Sequence, residues 1–407
     1  MNKKELLNFY YGYDSLKPEQ DKIIDSILNK EDTIGILPTG FGKTITFSIP
    51  ALMLEGLTLV ICPLISLMID QVNNLKEKGI KAEYLNSLQE DYEKEIIYER
   101  IKRGKTKILY LAAERLASFK LNDILKNIKI SLIVCDEAHT LIWSEDFRKG
   151  ILNIKTFLDE LNYKPTILAL TATATSLTQE KIKDILNLKN PKIISLECDR
   201  KNIFYRVINS KNKDKELLKI IKDKNEKIII YTLTINECIH VYNMLKEMNF
   251  LVDFFHGKMD KNLKEKALQN FKNGVNNIIV STNAFGMGID IPDIRIIIEY
   301  SLPSSLEDFS QQIGRASRDG KYAEGIILFN KNDIKMNEYF IENIDINDNK
   351  EYRKIKRERY YKLDKMIEFC LTKKCLHKGI LNYFGFESSN CNNMCSNCIN
   401  KKNILYK

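Results

Sequence analysis

Thr33-Ile34-Gly35-Ile36-Leu37 runs directly into Pro38-Thr39-Gly40-Phe41-Gly42-Lys43-Thr44, and a helix-compatible stretch follows. An apolar run, a glycine-containing loop and a helix start, in that order, make the unit in which backbone N–H groups cradle phosphate oxygens. Gly40 and Gly42 let the backbone, including Thr39, approach an anion closely. Lys43 supplies a point charge toward β- and γ-phosphates, and the Thr44 hydroxyl suits a Mg2+ ligand. The strict pattern carries Gly where Leu37 stands.

Outward from this loop the same rhythm repeats. Apolar runs at Leu57 to Cys62, Lys107 to Leu111, Leu132 to Cys135 and Thr166 to Leu170 alternate with polar, helix-period segments. That alternation predicts a parallel sheet covered by helices. A Lys- and Asn-rich stretch from Asn209 to Glu226 interrupts it. Lys227 to Tyr231, Val252 to His256, Asn277 to Ser281, Arg295 to Tyr300 and Gly325 to Phe329 then resume it. The expectation is two α/β domains joined near residues 200 to 212, followed by a polar stretch and a helical basic segment.

Asp136-Glu137-Ala138-His139 stands at the end of the run Leu132-Ile133-Val134-Cys135. Two carboxylates at a strand's C-terminal edge, beside a phosphate loop, suit metal-assisted phosphoryl chemistry. Asp136 is expected to hold Mg2+ through water and Glu137 to polarise an attacking water.

The 407 residues are 44% hydrophobic and 29% charged, which excludes disordered, collagen-like and miniprotein classes. No apolar stretch approaches the ~20 residues that span a bilayer, and no signal region follows the first residues. A soluble, cytoplasmic protein without membrane partners is expected. From Glu351 onward 13 Lys/Arg face 5 Asp/Glu, so nearly all of the net +9 sits in that tail. Such a segment points to a polyanion, with a solvated helix face as the alternative. Of nine cysteines, Cys370, Cys375, Cys391, Cys395 and Cys398 crowd the C-terminus. The spacing Cys391-x3-Cys395-x2-Cys398 brings three thiolates within reach of one tetrahedral ion.

Taken together, these motifs resemble a superfamily 2 helicase of the RecQ family over roughly residues 6 to 398. Tyr11-Gly12-Tyr13 and Leu16-Lys17-Pro18-Glu19-Gln20 are similar to that family's adenine-recognition motif. The resemblance assigns Gln20 to the adenine edge, Tyr13 to stacking and Lys17 to support, with Lys where the family usually carries Arg. Pro63 to Gln71, containing Ser66, and Ala113-Glu114-Arg115-Leu116 resemble motifs that lie along the DNA backbone. Leu170-Thr171-Ala172-Thr173-Ala174 is like motif III, which links the nucleotide and DNA sites. Trp143, Asp146, Phe147 and Arg148 resemble the aromatic-rich loop that couples single-strand binding to hydrolysis, with Glu145 in place of the expected His.

Further along, Ser281 to Asp290 resembles motif V and Gln311 to Gly320 motif VI. Arg315 and Arg318, three apart, are expected to share a helix face and act as arginine fingers on the γ-phosphate. Gln311 is assigned to the nucleotide site, Asp290 to the ribose and Thr282 to the DNA backbone. The segment from Cys375 through Asn382-Tyr383-Phe384-Gly385 is similar to the family's zinc-binding subdomain. It favours Cys375 over Cys370 and His377 as fourth ligand beside Cys391, Cys395 and Cys398, and leaves Cys370 to the core.

The implied architecture is α/β: two RecA-like parallel-sheet lobes, 1–205 and 206–345, then a basic helical zinc-binding subdomain at 346–407. The implied cofactors are ATP, Mg2+ and Zn2+. The implied activity is 3′ to 5′ translocation and unwinding in DNA repair or recombination, with single-stranded DNA and DNA junctions as partners, alongside single-strand-binding or repair proteins, by a monomer. Only nine residues follow Cys398, so a short form without winged-helix and further helical DNA-binding domains is expected. The alternatives are a DNA-binding protein that uses ATP as a switch without separating strands, and an RNA helicase.

Overall fold

The computed structural model describes the chain except residues 39, 143–144, 197–199, 286–290, 345–348 and 400–407, and except the side chains of 141–142, 145–149, 151 and 349–351. The chain forms two compact units, Met1–Cys198 and Asp199–Lys407.

Unit 1 is built on seven strands: β1 (Thr33–Ile36), β2 (Leu57–Ile61), β3 (Ala82–Leu85), β4 (Ile108–Leu111), β5 (Ile130–Cys135), β6 (Thr166–Thr171) and β7 (Lys192–Ser195). They lie in the order β3-β4-β2-β5-β6-β1-β7, every pair parallel. The central strands are apolar along their whole length because helices cover both faces of a parallel sheet. Accordingly two separate clusters form, one around Ile34, Leu59, Ile133 and Phe157, the other around Ile23, Phe47, Val60 and Leu168. Alternate residues of one strand feed opposite faces.

Unit 2 carries β8 (Ile203–Asn209), β9 (Lys227–Tyr231), β10 (Val252–Phe255), β11 (Ile278–Ser281), β12 (Ile294–Glu299) and β13 (Ala323–Phe329), ordered β10-β11-β9-β12-β13-β8 and again parallel. Much of the stretch expected to join the domains is therefore sheet: Ile203–Asn209 pairs with β13 over seven residues. The long helix Asn349–Leu371, the helix Leu376–Tyr383 and its capping residue Phe384 pack Leu363, Met366, Phe369, Leu376 and Phe384 into the same cluster as Ile203, Phe309 and Ile327. The C-terminal helices thus share a hydrophobic core with the second sheet. Among the described residues no helix is long and apolar enough to cross a membrane.

Gly56, leading into β2, combines φ +104° with a Cβ position 2.3 Å from the Lys129 backbone oxygen, the atom that accepts the Leu57 N–H at 2.8 Å. Gly56→Ala should cost about 1–3 kcal/mol from the backbone alone and lower the denaturant midpoint of unit 1; an unchanged midpoint would contradict this.

Candidate functional site

In unit 1 the loops leaving β1, β5 and β6 converge at the C-terminal edge of three neighbouring strands, where parallel α/β sheets bind ligands. Gly42, at φ +89°, caps the helix Lys43–Met53, and Gly40 is left-handed at φ +80°. The Lys43 ammonium reaches Glu137 Oε1 at 2.8 Å, with side-chain exposures of 14% and 13%. Glu137 itself is left-handed, φ +49°, a conformation a non-glycine residue adopts under constraint. Its N–H donates to Asp136 Oδ1 at 3.0 Å, and the Asp136 N–H donates to Ile61 O at 3.0 Å, fixing the carboxylate beside the end of β2. Burial, reinforced by the Glu137 charge and opposed by Lys43, pushes the Asp136 carboxyl up to about 6. His139 Nδ1 lies 3.5 Å from Glu137 Oε2 and 3.0 Å from Thr171 Oγ1, so the end of β6 is linked to the Glu137 carboxylate. Thr44 Oγ1 donates to Gln71 Oε1 at 2.7 Å.

Gln20 is buried and bound to the phosphate loop itself. Its Nε2 donates to Phe41 O at 2.9 Å and Gly42 O at 3.3 Å, while its Oε1 accepts the Lys17 N–H at 3.0 Å. Lys17 Nζ stands 4.3 Å from the Phe41 ring centroid and 3.4 Å from Phe41 O. Tyr13 is 57% exposed, open to a stacking partner. Ser66 is exposed at the start of the helix Ile65–Glu77 after β2, and Arg115, in the turn after β4, donates to the Tyr98 hydroxyl at 3.3 Å. Because β2 and β4 are neighbours, the two sit on one stretch of the sheet edge. Thr39, Trp143 and Asp290, and the side chains of Asp146, Phe147 and Arg148, lie outside the described residues.

In unit 2, Thr282 follows β11, its hydroxyl accepting the Ala284 N–H at 3.4 Å. Gln311 is half-buried on the helix Leu306–Ile313. That helix ends before Arg315, so the two arginines share a turn, 314–319, rather than a helix face: Gly314 caps the helix and Ser317 is left-handed at φ +49°. Arg315, 6% exposed, bonds the Tyr231 side chain and offsets the charge of Glu299, whose carboxyl burial pushes well above its ordinary value. The Arg295 guanidinium grips both Asp319 oxygens and holds that carboxyl down at about 2. Arg200 and Asn202, which no motif marks, also hold this turn: Arg200 donates to the carbonyls of Gly314, Ala316 and Ser317, and Asn202 Nδ2 to Ser317 Oγ at 2.9 Å.

The sulfurs of Cys375, Cys391, Cys395 and Cys398 lie within 4.8 Å of one another. Zn–S bonds of about 2.3 Å in a tetrahedron need sulfurs about 3.8 Å apart, so the four fit one zinc ion. Burial raises the Cys375 thiol, but N–H donation from Lys378 and Cys391 and the neighbouring thiols outweigh it and bring it below the ordinary thiol value, while burial raises Cys391 and Cys398, so one thiol of the cluster ionises ahead of the others. Cys370 is buried in the core, and His377 Nε2 lies 3.1 Å from Ile203 O, packed against the Tyr205 ring; neither belongs to the four-sulfur set.

Residues 17–182 match the DEAD/DEAH box helicase family, 212–320 the helicase conserved C-terminal domain and 331–399 the RecQ zinc-binding domain. The chain is 37% identical to the ATP-dependent DNA helicase RecQ of Bacillus subtilis, over 97% of this chain and 66% of that protein. It is 37% identical to the probable ATP-dependent DNA helicase RecS of the same organism, over 83% and 69%. It is 36% identical to the putative ATP-dependent RNA helicase R290 of Acanthamoeba polyphaga mimivirus, over 99% and 73%. The chain belongs to the RecQ family of helicases. Within that RecQ assignment, the zinc-binding match covers all four clustered cysteines. Tyr205 N–H donates to Met394 O at 3.1 Å, tying the RecQ cysteine loop to edge strand β8.

Because structural zinc supplies folding energy directly, purified protein should carry one zinc per chain by elemental analysis. Cys395→Ser should abolish that zinc and lower the unfolding midpoint of unit 2 while leaving unit 1 unchanged. A soluble, zinc-free wild-type chain of equal stability would overturn the site.

Proposed function

We propose that this RecQ-family chain is an ATP-dependent DNA helicase and translocase that loads on single-stranded DNA and moves 3′ to 5′, in DNA repair or recombination. The observation that carries the reading is the 2.8 Å meeting of Lys43 and Glu137 beside Asp136 at a parallel-sheet edge, in a chain with three consecutive helicase domain matches. Arriving phosphates compete for Lys43, and Glu137 then exchanges the ammonium for the attacking water, whose proton it accepts. Arg315 and Arg318 stabilise the charge that develops on the γ-phosphate. Gln20, Lys17, Tyr13 and Gln311 bind the nucleotide, Asp290 its ribose; Ser66, Arg115, Trp143, Phe147, Arg148 and Thr282 hold the DNA strand.

An oxygen-only donor set, the Thr44 hydroxyl and a carboxyl that burial leaves under-compensated at Asp136, fits Mg2+. Thr44 and Asp136 would hold the ion, which when bound neutralises phosphate charge. The carboxyl, raised to about 6, must lose its proton to ligate, so affinity for Mg2+-nucleotide should fall by about tenfold per pH unit below about 6. A flat binding profile down to pH 5 would remove Asp136 from that role.

Lys43→Ala should abolish ATP hydrolysis. Glu137→Gln should retain nucleotide binding and lose turnover; normal turnover in Glu137→Gln would sink the assignment. Hydrolysis measured with single-stranded DNA, single-stranded RNA and no polymer separates the DNA reading from the RNA activity in the name of the mimivirus relative. Stimulation by DNA without strand displacement would favour an ATP-driven switch.

A further inference from the structure

The turn that carries Arg315 and Arg318 is, by itself, a poor support for precise chemistry. It follows the last residue of a helix, where backbone carbonyls lack intrahelical partners and the helix dipole is negative. It also contains the left-handed Ser317. What holds it comes from outside the motif. The half-buried Arg200 guanidinium sends Nη1 to Gly314 O at 3.0 Å, and Nη2 to Ala316 O at 2.6 Å and Ser317 O at 2.8 Å. One planar fork thereby spans the turn around Arg315 and up to the residue preceding Arg318. Asn202 adds bonds to Ser317 Oγ and Lys321 O at 2.9 and 2.8 Å.

We propose that Arg200 is a positioning residue: its fork fixes the backbone from which Arg315 and Arg318 reach the γ-phosphate, and turnover depends on that fixation. The inference rests on reading those two arginines as γ-phosphate contacts. Geometry favours Arg over Lys here, because three carbonyls at different angles need a rigid fork rather than a point charge. Burial lowers the basicity of Arg200, opposed by Tyr205 and reinforced by the nearby charge of Arg318. A second cation is retained beside a first because the carbonyl contacts hold it there. Strands β13 and β8 pair independently of this contact, through backbone bonds from Ala323 to Phe329, so the fold of unit 2 does not hang on the fork alone.

The test is a double-mutant cycle in the full-length chain with DNA-stimulated ATP hydrolysis as readout. Arg200→Ala should lower kcat by about 10- to 100-fold, the loss expected when reacting groups are misplaced by an ångström. KM for ATP and the thermal midpoint of unit 2 should remain within error, and the loss in Arg200→Ala/Arg318→Ala should be clearly smaller than the product of the two single losses. Arg200→Lys, which keeps the charge and loses the fork, should share the kcat defect while binding DNA normally; it serves if the alanine variant fails to fold. Full kcat in Arg200→Lys, or losses that multiply in the double variant, would overturn the proposal. Arg318→Ala at full rate would sink the arginine-finger reading itself, an outcome visible without any Arg200 variant.

Discussion

Lys43 and Glu137 meet across ninety-four residues of sequence, and their 2.8 Å contact ties the loop after β1 to the loop after β5. Both side chains are mostly withdrawn from water, where a charge without a partner is strongly disfavoured. Neither loop can therefore relax without stranding the other's charge. The contact also governs its neighbours: on a carboxyl that burial already raises, Lys43 lowers Asp136 while Glu137 raises it, so the acidity of Asp136 depends on where that ammonium points. A phosphate that draws Lys43 away changes the partner of Glu137 and the field on Asp136 in one exchange. The left-handed Glu137 backbone fits this picture, since strain persists where surroundings over-determine a conformation.

Central strands were the easiest part to read, for a physical reason. A strand buried on both faces must be apolar throughout, as in Leu57–Ile61 and Ile278–Ser281, and its sequence announces it. Of the four edge strands only Val252–Phe255 lies within an apolar run; the other three announce little. Ala82–Leu85 contains Glu83, which sheet position would forbid were it not for Lys76 and Arg100 at 2.8 and 2.5 Å. Lys192–Ser195 is mostly exposed, and Ile203–Asn209 alternates with Arg206 outward. At the site, local motifs such as Gly42-Lys43-Thr44 and Asp136-Glu137 were legible because their chemistry needs neighbours in sequence. Arg200 was not, since it meets Gly314 at a separation of 114 residues that only β8–β13 pairing closes. The end of the helix at Ile313 was likewise invisible in a spacing of three, which a turn satisfies as readily as a helix.

Gln20 shows how one residue can satisfy local structure and still be available for chemistry. Its Oε1 accepts the Lys17 N–H at the start of the helix Pro18–Leu28, and its Nε2 braces the phosphate loop through two carbonyls. A Cβ at position 42 would approach its Nε2 to 2.7 Å, so the brace itself requires a glycine there. Nucleotide recognition by Gln20 would exchange these loop bonds for bonds to a base edge, which makes loop conformation sensitive to what occupies the site.

The basic tail illustrates why charge counted along a sequence overstates charge offered to a partner. On the helix Asn349–Leu371, Leu363, Met366, Phe369 and Cys370 take the inward stripe at helical spacing. Several cations beside that stripe are engaged by the protein itself: Lys362 pairs with Glu307 at 2.8 Å, Lys356 with Glu342, and Arg359 offsets the buried Asp308. Lys362, 16% exposed, is held below its usual basicity chiefly by burial, as expected of a cation fixing two elements together. Arg353, Lys354, Arg357, Lys373, Lys374 and Lys378 are exposed and form no ion pair among the described residues. A polyanion bound along Arg353 to Lys378 would release counterions in proportion to these six rather than to all ten Lys/Arg of that segment. Lys356, Arg359 and Lys362 instead act within the protein, tying the helix Asn349–Leu371 to Glu342, Asp308 and Glu307.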